Sequence, residues 1–288
     1  MASDVRVDGR RKVRLDRIDP NAPKKLVRAE IEARTVELGR ELADLEDLLF
    51  FAGQHAVLVV LQGRDTAGKD GTIRTILDYC NVQSLRVESF KVPTAAELAH
   101  DFLWRVHART PGHGELVIFN RSHYEDVLVV RVHELVPKSV WKARYDAINQ
   151  FESLLGRHRT LLFKFYLHID KAEQKARLIA REAESEKAWK LAVGDWKERE
   201  RWDDYTEAYE AALSKCASDD APWHVVPANQ KWYRDFIVLG TLVEGLRPYK
   251  EGWLKHLSAL GRERRGELEA FRAAKAASRE KSVRPKSS

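Results

Sequence analysis

The sequence predicts an α/β protein built on a parallel sheet covered by helices on both faces. Three observations carry this prediction. Apolar runs rich in Val, Leu, Ile and Phe recur over 56–62, 85–90, 115–120, 160–169 and 223–226. Helix-compatible segments separate them, which implies right-handed βαβ crossovers. Three polar segments, 63–71, 91–97 and 120–126, each follow a strand directly. They should therefore converge beyond the C-terminal strand ends, where open α/β sheets place ligands.

Residues 1–25 are polar and carry the turn signals Asp19-Pro20 and Ala22-Pro23, so they predict an extended arm. Over 26–51, Leu26, Ile31, Leu38, Leu42, Leu45, Leu48 and Leu49 recur at helical spacing. That predicts a long amphipathic helix, packed on the core or on another subunit. The run AVLVVLQ over 56–62 has the continuous apolar character of a strand buried on both faces. Gly63-x-x-x-x-Gly68-Lys69 follows it, then a helix-compatible segment over 72–80. Strand, glycine loop, lysine and helix in that order form a P-loop, whose amides, helix N-terminus and lysine hold an anion. Position 70 is Asp where the motif expects Ser or Thr, and the alternative is an ordinary strand-to-helix turn.

After the second strand, Pro93 breaks the chain and Thr94 with Glu97 forms a capping-box signal for a helix over 95–109. The third strand leads into Arg121-Ser122-His123-Tyr124-Glu125-Asp126, with helical material to about 135 and a further helix over 139–157. Between the last two strands lies a polar stretch, 171–220, rich in Arg177, Arg181, Lys187, Lys190, Lys197, Arg199 and Arg201. It reads as a helical lid that closes basic groups over phosphates and excludes water. The alternative is an exposed helical pair laced by i,i+4 charges. One domain, 26–255, follows, with the arm before it and a basic tail over 256–288.

The chain has 288 residues, 44% hydrophobic and 33% charged, enough for one sizeable core with extensions. No apolar run spans a membrane, the charged N-terminus is not a secretory signal, and Cys80 and Cys216 give no disulfide framework. A cytoplasmic location is expected. The net charge of +6 and a pI near 9.2 favour polyanionic partners: nucleotides, polyphosphate or nucleic acid.

Phosphoryl transfer needs loop amides, a lysine, magnesium on carboxylates and arginines on the moving group. Asp65 inside an anion-cradling loop would repel phosphate, which argues for a bridging Mg²⁺. Asp70 reads either as part of the cradle or as a carboxylate satisfying the helix N-terminus. An acid usually ends the third strand of such folds; here Asn120 stands there, with Glu125 and Asp126 close behind and Arg121 placed to hold a phosphate. His123 and Tyr124 read as packing or hydrogen-bonding groups. Asp203 and Asp204 either face the ligand from the lid or pair with Arg199 and Arg201. Cys80 reads as core and Cys216 as loop, and the scattered tryptophans as packing residues.

GRDTAGKDGTI, SFKVPT, FNRSHYEDV, KERERWDDY and APWHVVPANQKWYRD together resemble the polyphosphate kinase 2 family, over about residues 28–250. The resemblance implies a P-loop kinase-like core with a helical lid. It also implies reversible phosphoryl transfer between inorganic polyphosphate and nucleotides, dependent on Mg²⁺ (Mn²⁺ substituting), in a homo-oligomer (dimer or tetramer). By motif position it implies catalytic roles for Asp65, Lys69 and Arg121. Phosphate contacts are implied for Gly63, Arg64, Thr66, Ala67, Gly68, Asp70, Gly71, Lys91, Arg181, Lys187 and Lys190. Many members read D-R-S-W-Y-N where this chain begins with Asn120, so Asp65, Glu125 and Asp126 become the candidates to share the metal. The NRSHYED form resembles the subgroup that accepts both AMP and ADP; adenine and guanine are both candidate bases. Two alternatives stand beside this reading: an ATP-dependent nucleoside or nucleoside-monophosphate kinase, and a non-catalytic binder of nucleic acid or polyphosphate.

Overall fold

The computed structural model describes residues 5–183 and 193–283. In chain order the elements are β1 (Val5–Val7), α1 (Arg28–Ala52), β2 (Ala56–Gly63), α2 (Lys69–Leu77), β3 (Leu85–Ser89), α3 (Ala95–Leu98) and α4 (Trp104–His107). Then come β4 (Leu116–Asn120), α5 (Val129–Val132), α6 (Lys138–Arg157), β5 (Thr160–His168), α7 (Lys171–Ala183), α8 (Val193–Glu200) and α9 (Trp202–Lys215). β6 (Trp223–Pro227), α10 (Lys231–Leu246) and α11 (Lys250–Val283) complete the chain.

The strands form one sheet in the order β1-β6-β5-β2-β4-β3. All neighbours run parallel except β1, which pairs antiparallel with β6, Val7 lying opposite Trp223. β2 lies between β4 and β5, with Leu61 opposite Asn120 and Gly63 opposite Leu167. The crevice between diverging crossovers therefore opens where the P-loop leaves β2. Alternate residues of β2 serve two cores, as the period of a strand requires. Val57, Val59 and Leu61 meet α1, α10 and α11 through Leu45, Leu49, Leu239, Val243 and Trp253. Leu58 and Val60 face Phe119, Tyr124, Ile148, Phe151 and Trp223 on the other side. Each such fully buried aliphatic side chain contributes about 1.5–3 kcal/mol.

Three expectations need correction. The polar arm is part of the fold: Val7, Val13 and Leu15 are buried, and β1 makes the sheet mixed rather than parallel throughout. The helix expected over 95–109 is two short helices, because Asp101 turns the chain between them, its carboxylate accepting from the Leu103 amide. The Thr94–Glu97 capping box does start the first of them. The basic C-terminal segment is not a loose tail but, through Val283, the long helix α11, whose charged residues from Arg262 to Lys275 are exposed.

A buried polar network ties the turn after β4 to β5 and α6. Lys164 Nζ lies 2.6 Å from Glu152 Oε2 and donates to Cys216 O at 2.6 Å. Tyr124 Oη donates to Glu152 Oε1 at 2.7 Å, and His123 Nε2 lies 3.3 Å from the same oxygen. Burial lowers the His123 pKa and raises that of Tyr124, so both stay neutral and act as spacers, as their sequence context suggests. Cys216, in the loop after α9, is fully buried against this network. Removing Glu152 leaves a buried ammonium unpaired. Glu152→Ala should therefore lose about 3–5 kcal/mol of stability in urea denaturation, and much of the loss should return in a Glu152→Leu/Lys164→Met double variant.

Candidate active site

The P-loop chain turns sharply as it leaves β2. Gly63 and Gly68 have φ of 156° and 109°, and the non-glycine Thr66 sits at 64°. Gly68 caps α2 at its N-terminus. A Cβ on Gly68 would lie 2.0 Å from Arg234 Nη1, and one on Gly71 3.0 Å from Arg234 Nη2. Both positions thus need glycine so that α10 can press a guanidinium against the loop. Arg234 is buried and held by Asp235, with Nη2 at 2.7 Å from its carboxylate. Sequence reading missed this residue. The apolar run after Trp232 signals a buried helix, but nothing in it says which loop that helix meets.

Lys69 folds back over the loop it follows, donating from Nζ to Gly63 O at 2.8 Å and Arg64 O at 3.2 Å. Burial pulls its pKa down, with Asp65 opposing and Arg121 adding to the fall. Asp65 Oδ1 lies 2.7 Å from Arg121 Nη2, and Glu125 Oε2 lies 3.5 Å from Arg121 Nη1. Burial alone would lower the Arg121 pKa, but Glu125 and Asp65 more than offset it, so the guanidinium is held firmly charged. Arg121, at φ 61°, turns the chain off the end of β4 and aims the side chain back at the loop. Arg64 points the other way: its guanidinium stacks 3.6 Å over the Trp202 ring and donates to Trp202 O at 2.9 Å. Trp202 is therefore a contact of the phosphate loop and not simply a packing residue.

Asp70 lies in the first turn of α2 and accepts from Asn120 Nδ2 at 3.1 Å, which favours its structural reading. Asp126 is turned away from the loop. Its Oδ1 lies 2.8 Å from Arg144 Nη1, and its Oδ2 4.0 Å from Arg105 Nη2. Burial raises its pKa to about 6 against the pull of those arginines. Asp126 thus anchors the turn and does not join Asp65 and Glu125. Among the described residues, no group of three or more His, Cys, Asp or Glu is gathered as a metal cage. A two-carboxylate site remains, Asp65 with Glu125, and two carboxylates plus substrate phosphates suit magnesium.

The lid helices reach this cluster. Arg177 on α7 donates to Thr66 O and Ala67 O, and Gln174 donates to Asp65 O. Arg181 pairs with Asp195 of α8 at 2.9 Å. Burial raises the Asp195 pKa and nearby Asp65 raises it further, which places a lid carboxylate in the field of the site. Glu198 takes His133 at 3.0 Å and the Tyr205 hydroxyl at 2.6 Å, docking α8 and α9 beside Glu125. Asp203 and Asp204 are exposed on the first turn of α9, and Arg199 and Arg201 bond instead to Lys171 O and Val132 O. Lys91 is exposed beyond β3, its carbonyl accepting from Arg105 at 2.9 Å. Lys187 and Lys190 lie outside the described residues.

The space between Asp65, Arg121, Glu125, Glu198, Tyr205 and Tyr209 is about 30 Å³, room for about one water. The cleft is narrow, with Arg121 and Asp65 still partly exposed at its mouth. A larger cleft, of about 1110 Å³, opens at the N-terminal edge of β5 and β6 and holds no P-loop residue. The arrangement suits anion capture: Lys69, Arg121 and the loop on one side, a carboxylate pair between them, and the described lid helices beside them.

Comparison with known proteins agrees with this geometry. A family model described as polyphosphate kinase 2 matches residues 25–251. The chain is 52% identical over 243 residues to an AMP/ADP-polyphosphate phosphotransferase of Meiothermus ruber, covering 84% of this chain and 91% of that protein. It is 45% identical over 221 residues to an ADP-polyphosphate phosphotransferase of Rhodopseudomonas palustris, covering 73% and 76% of the two chains. The crystal structure of polyphosphate kinase 2 from Arthrobacter aurescens TC1 superposes with a TM-score of 0.80 at 40% identity, covering 82% of this chain and 86% of that one.

Gly68 gives the sharpest local test. Gly68→Ala puts a methyl group into Arg234 and forces a left-handed φ on a residue that resists it. It should weaken binding of inorganic tripolyphosphate at least tenfold by titration calorimetry, with the far-UV circular dichroism unchanged.

Proposed function

The chain belongs to the polyphosphate kinase 2 family, and from that membership we propose that it transfers phosphoryl groups reversibly between inorganic polyphosphate and nucleoside mono- and diphosphates. AMP would become ADP, and ADP would become ATP. The observation that carries this reading is Arg121 bridging Asp65 and Glu125 directly beside Lys69, at the mouth of a glycine loop. The name of the Meiothermus ruber relative, which carries both AMP and ADP, supports the dual acceptor range.

Magnesium, or manganese in its place, would be held by Asp65 and Glu125 together with substrate phosphates, where it neutralises charge on the phosphoryl oxygens. The chain's own groups supply the rest. Loop amides and Lys69 bind the donor phosphate, and Arg121 shifts from its two carboxylates onto the moving phosphoryl group. Arg64, stacked on Trp202, and Arg181, paired with Asp195, would meet the polyphosphate on leaving those partners. Closure of α8 and α9 excludes water, which keeps the phosphoryl from being hydrolysed. A nucleotide phosphate is already ionised, so in-line attack needs no strong base, and neutral His123 and Tyr124 stay outside the chemistry. Adenine nucleotides are the acceptors in this reading, with guanine nucleotides as further candidates. Exposed apolar side chains on α1 (Val36, Phe51) and α11 (Leu254, Leu268, Phe271) support a homo-oligomer, dimer or tetramer. Among the described residues, no helix is long and apolar enough to cross a membrane.

Incubation with Mg²⁺ and long-chain polyphosphate, first with AMP and then with ADP, tests the reading. ADP and ATP should form from AMP with no added ATP. ATP from ADP alone, beyond a disproportionation control, would restrict the acceptor range; turnover of a nucleoside with ATP alone would favour the ATP-dependent kinase. Asp65→Asn should abolish metal-dependent turnover with the melting temperature held within a few degrees. An unaffected rate would remove Asp65 from the metal site.

A further inference from the structure

A phosphate cradle works only if its peptide N–H groups point inward, and a trans peptide points its carbonyl the opposite way. In this loop, Thr66 O and Ala67 O accept from Arg177 Nη1 at 2.9 and 3.1 Å. Arg177 Nη2 donates to Ala228 O and Asn229 O at 2.6 and 2.8 Å, and Nε to Glu173 Oε1 at 2.7 Å. These five bonds engage the whole guanidinium fork.

Arg177 is therefore not a lid arginine reaching for substrate. It joins the P-loop to the β6–α10 connection from the root of α7. Thr66 also stands at φ 64°, a conformation that β-branched residues rarely adopt. We propose that Arg177, assisted by Gln174, is a positioning residue that holds Thr66 in this conformation and so turns the amides of Thr66 and Gly68 toward the bound phosphate, while the Ala67 amide closes the loop on Arg64 O at 3.1 Å. The proposal rests on reading the loop as a polyphosphate cradle. Arg177→Lys keeps the charge but cannot span two carbonyl pairs, so the turn at Thr66 should relax. A glycine at 66 adopts φ near 60° without resistance and should restore what Arg177 imposes.

The test is a double-mutant cycle on the full chain, reading kcat and KM for polyphosphate with ADP and Mg²⁺, and melting temperature. Thr66→Gly alone should not raise kcat/KM, since Arg177 already imposes the turn. Arg177→Lys should lower it at least tenfold, mainly through KM for polyphosphate. Adding Thr66→Gly to Arg177→Lys should recover at least threefold. An equal factor for Thr66→Gly in both backgrounds, or a fully active Arg177→Lys, overturns the proposal. If Arg177→Lys does not fold, Gln174→Met takes its place, since it removes the donor to Asp65 O and otherwise only the acceptor of Arg199 Nη1, which keeps Lys171 O, and the same sign of coupling with Thr66→Gly is required. A wild-type protein with no turnover at all would instead strike the functional reading.

Discussion

Charge balance in the narrow cleft is the constraint on which the rest of the site depends. Lys69 lies in the field of Arg121, whose like charge adds to the lowering of the lysine's pKa by burial. Asp65 and Glu125 supply the compensation, each bonded to Arg121. The lid repeats the pattern, with Arg181 on Asp195. A polyanion entering the cleft offers the same cations a denser set of acceptors, and the carboxylates it displaces are freed to meet a divalent ion. In the proposed function, anion binding and metal binding would thereby be linked through the Arg121 guanidinium.

The fold provides the geometry for that exchange. β2 lies between β4 and β5, so the loop after β2 and the turn after β4 open on the same crevice. The turn is braced from behind by Lys164, Glu152 and Tyr124, and at its end by Asp126 on Arg144. The loop is braced by Arg177, Gln174 and Arg234. The reacting region thus sits between two rigid supports, while α8 and α9 close over it through Glu198, His133, Tyr205 and the Arg64–Trp202 stack.

Much of this was legible in the residues. Continuous apolar runs at 56–62 and 115–120 marked the central strands, because strands buried on both faces leave no polar alternation. The glycine spacing and Lys69 located the anion loop, and Arg121 was found from its place after a strand. Other features were hidden because they depend on contacts between distant segments. Val7, Val13 and Leu15 lie among arginines and read as a polar arm until β6 offers an edge to pair with. Asp126 and Glu125 are neighbours of the same type, and only the position of Arg144 on α6 separates the anchor from the site residue. Arg177 was visible as a lid cation, but its role follows from five carbonyl and carboxylate partners that no spacing reveals.

The most direct measurement is a crystal structure of the full chain with Mg²⁺ and inorganic tripolyphosphate. The account predicts a phosphate group on the amides of Thr66, Gly68 and Lys69 with Arg121 bonded to it and moved off Asp65, and with Asp65 and Glu125 facing the metal. Tripolyphosphate bound instead along the basic face of α11, with Arg121 still on Asp65 and Glu125, would contradict it.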